Sequence, residues 1–543
     1  MTKHWYQEAV FYGIDVQRFA DGNGDGIGDF IGLSQKLEYI RELGVTCIWL
    51  LPFFGSPDRD NGYDVSNFMA INPKVGTWND FLAFLHRAGE FGIRVIIDLV
   101  INHTSDEHPW FQAARRDEKC RYRNYYVWSG DPPPIAPDTV SIFPGEEATV
   151  WTYDEVARSY YFHKFYHFQP ELNIANPQVR EEILRIIDFW LAFGVSGFRV
   201  DAAPLLIGDN GLKHANPHDP HGVLRDLASY VAERRPSAVL LGEVNMPLDQ
   251  TKAYFGDSDQ LHLMFNFQLA CHIFAGLALE SAEPINKAIG VIPDPPPGCG
   301  WTNFLRNLDE LDFSQVSSDL KKQVFEAFAP SKSMQVYGRG IRRRIAPMFD
   351  GNPRRILLAF SLILSMRGPP LFVYGDEIGL GENLENEGRN AVRVPMQWTA
   401  GRNGGFSEAK GADLILRPKR EGAFGYRKVN VANQQGDPNS VLGGIKKLIK
   451  IRRKSTVLSE GRMTVCHTSE RSVFAHAFED GQSQLLITHN LSSAPVNTTI
   501  ELNDLKVEST VNLMTGNKVA WEHPLKVKLP PYGYCWLQFE RKL

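Results

Sequence analysis

The stretch RVIIDLVINH, residues 94–103, sets the reading of the chain. Apolar residues run almost unbroken from Val95 to Ile101 and end on the polar pair Asn102 and His103. A run that is apolar without alternation reads as a strand buried on both faces of a parallel sheet. Similar runs are FYGIDVQRF (11–19), CIWLLPF (47–53), GFRVDAA (197–203), VLLGEVN (239–245), MFNF (264–267), TNFLRNLDE (302–310) and PLFVYGDE (370–377). Amphipathic stretches separate most of them, among them FIGLSQKLEYIRELG (30–44) and WNDFLAFLHRAGEFG (78–92). The second sets Phe81, Leu82, Phe84 and Leu85 on one helical stripe and closes on a glycine. Eight such strands alternating with helices predict an α/β fold, a (β/α)8 TIM barrel. No glycine-rich phosphate loop follows a strand, which argues against an open dinucleotide-binding sheet.

Two segments break the alternation. Residues 104–173 hold many aromatics, few periodic runs and a proline cluster at 132–134, and read as an excursion after the third strand. From about 457, HTSERSVFAHAFED, QSQLLITHNLS and GYCWLQFE alternate as an antiparallel sheet does. The charged helix GGIKKLIKIRRK (443–454) precedes that part.

A formal net charge of −5 gives no field to hold nucleic acid or an anionic membrane, so neither is expected as a partner. No apolar run approaches the roughly 18 residues of a membrane span. The N-terminal MTKHWYQEAV has no basic region followed by an apolar run, so a cytoplasmic location is expected. The cysteines form no CxxC pair and read as reduced thiols.

The chemistry gathers at strand ends. In GFRVDAA, Arg199 and Asp201 are two residues apart and share a face. A guanidinium beside a carboxylate lowers its pKa, and an ionised carboxylate aimed from a strand end suits a glycosyl nucleophile. Alone, the pair reads as structural. LLGEVN puts Glu243 at the end of an apolar strand, where a carboxyl group titrates high and serves as an acid. Alone, it reads as a solvated glutamate. FLRNLDE adds Asp309 at a third strand exit. A retaining glycosidase needs two carboxyls about 5 Å apart, with room for a third to steady developing positive charge. His103 offers a hydrogen-bond donor to a sugar hydroxyl. Separately, DGNGDGIGD (21–29) sets Asp21, Asn23, Asp25 and Asp29, with the Ile27 carbonyl, as an oxygen-only loop for structural Ca²⁺, Mg²⁺ being the alternative. A Gly/Asp turn is the competing reading.

Taken in order, DLVINH, GFRVDAA, LLGEVN and FLRNLDE resemble the signature regions of the α-amylase superfamily, glycoside hydrolase family 13. The resemblance implies a barrel (domain A, 1–103 and 174–456), a domain B (104–173) and a C-terminal β-sandwich (domain C, 457–543). It implies Asp201 as nucleophile, Glu243 as acid/base, Asp309 as transition-state stabiliser, and His103 and Arg199 in the glucose subsite. QPELN (169–173) looks like the fifth region of the oligo-1,6-glucosidase-like branch and adds Gln169. GRNAVRVPMQW and EGAFGYRKVNVANQQ resemble the branch that isomerises maltose and trehalose. The implied activity is retaining α-glucosyl transfer on a small disaccharide. Disaccharide hydrolysis uses the same residues, and a sugar-binding homologue with little turnover is a third reading. The likeness also puts Asp60, Tyr63 and Arg393 around the non-reducing glucose of a closed pocket.

The chain departs from the family twice. Leu308 stands where the family has a histidine before the stabilising aspartate. A lost donor there costs about 2–4 kcal/mol of barrier. Glu171 stands where the family has aspartate; in the isomerising branch that aspartate and the counterpart of Asn102 help hold a second calcium. The further acidic ligand is replaced near Gly208, with Asp209 the nearest substitute.

Overall fold

The computed structural model describes residues 4–131, 133, 141–207, 219–411, 413–480, 483–501, 507–520 and 524–541. The runs above become one closed parallel barrel: β1 (Phe11–Ile14), β2 (Cys47–Leu50), β3 (Arg94–Leu99), β4 (Gly197–Val200), β5 (Val239–Gly242), β6 (Leu263–Phe265), β7 (Gly300–Phe304) and β8 (Pro370–Val373). Strands are neighbours in chain order, and β8 closes on β1 with Phe11 opposite Leu371. Each strand takes only the first part of its run, so the polar tail of the run leaves the barrel at its C-terminal rim. Gly13 in β1 makes room for Trp49: a Cβ there would lie 3.0 Å from the indole.

Helices cover the barrel. The stretch 30–44 forms two helices, α1 (Phe30–Gln35) and α2 (Leu37–Leu43), broken at Lys36 (φ −99°, ψ 1°). Gly44 ends α2 in the left-handed region, φ +94°. Helix α3 (Trp78–Glu90) starts from a capping box between Thr77 and Asp80 and buries Phe81, Phe84 and Ala88. Leu82 does not join the stripe; it is 37% exposed, because it sits one residue, about 100°, round from Phe81.

After β3 the chain forms a short helix (Pro109–Arg116) and a three-stranded antiparallel sheet of Trp128–Ser129, Trp151–Asp154 and Ser159–Phe162. The expected proline cluster and Gly208–Asp209 fall partly or wholly outside the described residues. At the C-terminus a five-stranded antiparallel sheet and the pair Val496–Ile500 and Leu525–Leu529 share one apolar core, including Val473, Leu486, Ile500, Leu529 and Phe539. This is the two-layer sheet domain. Ser361 of the barrel accepts from Trp536 Nε1 at 2.9 Å and joins it to that domain. No helix among the described residues is long and apolar enough to cross a membrane.

Candidate active site

Two barrel ladders run one residue beyond their strands. Asp201 N donates to Leu99 O at 3.2 Å, and Glu243 N donates to Val200 O at 3.1 Å. Both carboxyl groups therefore leave from backbone held by the barrel wall. Ala202 then turns sharply, with φ +42°, a conformation that costs a non-glycine residue about 1 kcal/mol or more. The turn aims its amide at Glu243 Oε2, 3.2 Å away.

Arg199 and Asp201 share a face, as their spacing implies, and contact each other directly. The same guanidinium lies 2.7 Å from Asp98 Oδ1 and 2.7 Å from Glu243 Oε2. Burial pushes Glu243 up to about 7; Arg199 opposes the rise, and the charges of Asp201 and Asp309 add to it. Asp98 also stands at about 7, raised by burial against the pull of Arg199. Asp201 is raised too, first by burial, with Arg199 lowering and Asp309 raising it. Arg199 thus does not hold Asp201 below the usual carboxylate range, as the two-residue spacing had suggested. One guanidinium divided among three buried carboxyls does not offset their desolvation.

Asp309 is different. Burial raises it, but Arg389, Arg393 and Arg199 outweigh that and hold it at about 2. Arg389 Nη1 and Arg393 Nη2 each lie 2.7 Å from Asp309 Oδ1. Arg389 Nη2 also lies 2.7 Å from Asp60 Oδ1, whose other oxygen accepts from Gln169 Nε2 at 3.0 Å. Arg393 Nε donates to Leu308 O at 3.0 Å. Arg389 escaped the reading of the sequence, since it sits in a single 3₁₀ turn (Gly388–Ala391) too short for any periodicity to mark it. Its pairing with two acidic residues far away in sequence was the missing signal.

His103 Nε2 meets Tyr63 O at 3.1 Å, while Nδ1 is buried without a hydrogen-bond partner among the described residues. Burial pushes the ring down to about 4, so it is neutral at pH 7. With Nε2–H donating to the carbonyl, Nδ1 is left as an acceptor, and the donor role expected of His103 is already taken. Leu308 is 1% exposed and belongs to the apolar core.

A cavity of about 420 Å³ opens at this rim. Asp60, Tyr63, His103, Asp201, Glu243, Asp309 and Arg389 supply polar groups to its lining. Ile142, Phe143, Phe165, Leu205, Met246 and Phe267 supply apolar ones, Phe165 5.0 Å from the His103 ring. Phe143 comes from the excursion after β3; it stacks on Tyr166 at 4.6 Å and lies under Arg389 at 4.9 Å. Arg339 Nη1 donates to Ile142 O at 2.7 Å and ties that segment to the barrel loops. Of the residues expected around the sugar, Gln169, Arg199 and Arg393 sit behind the wall and hold those that face the cavity.

In the loop 21–29, Asp21 accepts from the amides of Gly24 and Gly26 at 2.6 and 2.8 Å. Asp29 accepts from Gly32 N at 2.7 Å as the cap of α1. Asn23 and Asp25 face solvent, their side chains 3.0 Å apart. The described residues contain no cluster of three acidic, His or Cys side chains set to hold a metal, so any ion here needs Asn23 and backbone oxygen as well. At the second expected position both side-chain polar atoms of Asn102 are buried without a hydrogen-bond partner among the described residues, and Glu171 is buried in the bridge to the neighbouring His103.

Comparison with known proteins agrees with this architecture. Residues 14–291 and 304–461 match the model of the α-amylase catalytic domain, and 463–536 match the maltogenic amylase C-terminal domain. A trehalose synthase of Pimelobacter sp. (strain R48) is 38% identical over 549 residues, covering 98% of this chain and 96% of that protein. A trehalose synthase of Thermus thermophilus is 40% identical over 494 residues, covering 91% of this chain and 51% of that protein. Among solved structures, the α-amylase from H. orenii superposes with TM-score 0.79 at 27% identity, covering 99% of this chain and all of that one. The barrel, the carboxyl groups at its rim and these matches together place the chain in the α-amylase family, glycoside hydrolase family 13, as an enzyme of that superfamily.

Proposed function

We propose that the enzyme interconverts maltose and trehalose by retaining α-glucosyl transfer. The carrying observation is that Asp201 and Glu243 meet on one guanidinium at the cavity wall, with Glu243 near 7. That arrangement suits a pair of carboxyls about 5 Å apart. Asp201 attacks the anomeric carbon, the glycosidic C–O bond breaks, and Glu243 gives its proton to the leaving oxygen. The released glucose turns within the pocket and attacks the same carbon through its anomeric hydroxyl. Glu243 takes that proton back as the bond to Asp201 breaks. Asp309, held ionised, steadies the positive charge at the anomeric carbon. The apolar residues of the lining restrain water, which otherwise completes hydrolysis.

A structural cation, Ca²⁺ with Mg²⁺ as the alternative, belongs to this reading. The loop 21–29 offers oxygen donors only, which suits a hard ion. Asn102 and Glu171 form a second candidate, supported by the buried, unpartnered amide of Asn102. Neither ion enters the chemistry.

Incubation with maltose, trehalose and sucrose separately, with products resolved by anion-exchange chromatography, tests the reading. Trehalose from maltose with little glucose, lost in Asp201→Asn, is the expected result. Glucose as the only product makes the enzyme a hydrolase, and binding without turnover makes it a sugar-binding homologue.

A further inference from the structure

We propose that the base of the barrel, at the end away from Asp201 and Glu243, holds a second binding site, for a phosphoryl dianion. Arg94 opens β3 there. Its guanidinium lies 4.6 Å from the ring centre of Trp5, and among the described residues its side chain has no hydrogen-bond or ion-pair partner. Arg453, in the last turn of the helix Val441–Lys454, is likewise unpaired among the described residues. Both line a recess of about 290 Å³ with Arg452, Thr46 and Glu8. Arg452 is fixed by the carbonyls of Leu364, Met366 and Gly368.

Arg94 and Arg453 thus bring two guanidiniums without a partner among the described residues to a lining whose one carboxylate, Glu8, accepts from Ser459 Oγ at 3.1 Å. Like charges gathered in a partly desolvated recess repel, and an anion between them relieves the repulsion. Cations in the last turn of a helix have an ordinary purpose, since they complement its dipole. That covers Arg453. It does not cover Arg94, which starts a strand. Arg94 has one face against Trp5 and N–H groups without a partner among the described residues, and a guanidinium in that state can grip two oxygens of a phosphoryl group. A neutral sugar finds little here to match so much positive charge. The recess has space for a small phosphate ester as well as for free phosphate.

Inorganic phosphate and glucose 6-phosphate, titrated separately into the full-length protein at constant ionic strength, test the site through tryptophan fluorescence and the thermal midpoint. The expected result is saturable binding and a raised midpoint. Both weaken at least tenfold in Arg94→Gln and in Arg453→Gln, while maltose turnover without phosphate is unchanged. Tighter binding of the ester assigns the site to a phosphorylated small molecule, and equal binding assigns it to the phosphoryl group alone; either upholds it. Arg453→Gln, at an exposed position, keeps the test open if Arg94→Gln fails to fold. Equal binding in the folded variants, or a response that ionic strength alone reproduces, overturns the proposal.

Discussion

Arg389 stands 2.7 Å from Asp60, an ion pair between residues 329 apart in sequence that joins the loop after β2 to the loop after β8. The same guanidinium holds Asp309. Arg389→Ala leaves two buried carboxylates short of a partner, and breaking such a pair costs about 3–5 kcal/mol. The expected outcome is a fall in disaccharide kcat/KM of about a hundredfold or more with a lower thermal midpoint, Arg389→Lys being intermediate. A variant with unchanged kcat/KM would remove Arg389 from the account.

Glu243 must carry its proton to serve as the acid, and its pKa stands at about 7. Above that pH the protonated fraction falls tenfold per unit, and kcat/KM falls with it. Glu243→Gln should abolish this limb along with most of the activity. A wild-type profile flat to well above pH 8 would assign the proton transfer elsewhere.

Leu308→His places an imidazole in the apolar shell beside Asp309. A buried polar group without a partner costs about 1–3 kcal/mol, so the thermal midpoint falls. A donor next to the reacting sugar is worth about 2–4 kcal/mol, so kcat/KM for maltose rises at least tenfold. Loss of stability with no gain in turnover would mean that the ring stays in the core.

Glu377 is buried, accepts from Tyr12 at 2.7 Å and Tyr39 at 2.8 Å, and is raised by burial to about 7 against the lowering effect of those bonds. A carboxyl raised on folding favours the folded state at low pH. That contribution is lost as pH rises from the unfolded value near 4.3 through about 7. Glu377→Gln is neutral throughout and should narrow the difference in midpoint between about pH 5 and about pH 8. An unchanged difference would place the pH dependence in other groups.

The structural cation proposed for the loop 21–29 would make the midpoint depend on calcium, since an ion that binds only the folded state stabilises it by mass action. EDTA should lower the midpoint, Ca²⁺ restore it, and Asp21→Asn with Asp25→Asn remove the response. Persistence of the full response in that double variant would move the ion to another site, with Asn102 and Glu171 the next to test.

The barrel was readable because each strand is apolar on both faces and changes to polar where it leaves the wall. The same change marked Asp201, Glu243 and Asp309. Leu82 was misplaced because four apolar residues fitted a stripe more loosely than three. The raised state of Asp201 was hidden because Arg199 also serves Asp98 and Glu243, and sequence spacing shows neighbours along a strand, not those across it. Arg389 was missed because loops bring partners together without any local period.

The two ladders that run past β4 and β5 separate what is rigid in this enzyme from what is adjustable. Asp201 and Glu243 ride on the barrel wall, whereas Phe143, Asp60 and Arg389 ride on connecting segments. Exchanging those segments should alter which acceptor enters and how much solvent follows it while leaving the attacking pair in place. Grafting loops from other members of the family onto this barrel is therefore a way to redirect its products without rebuilding its chemistry.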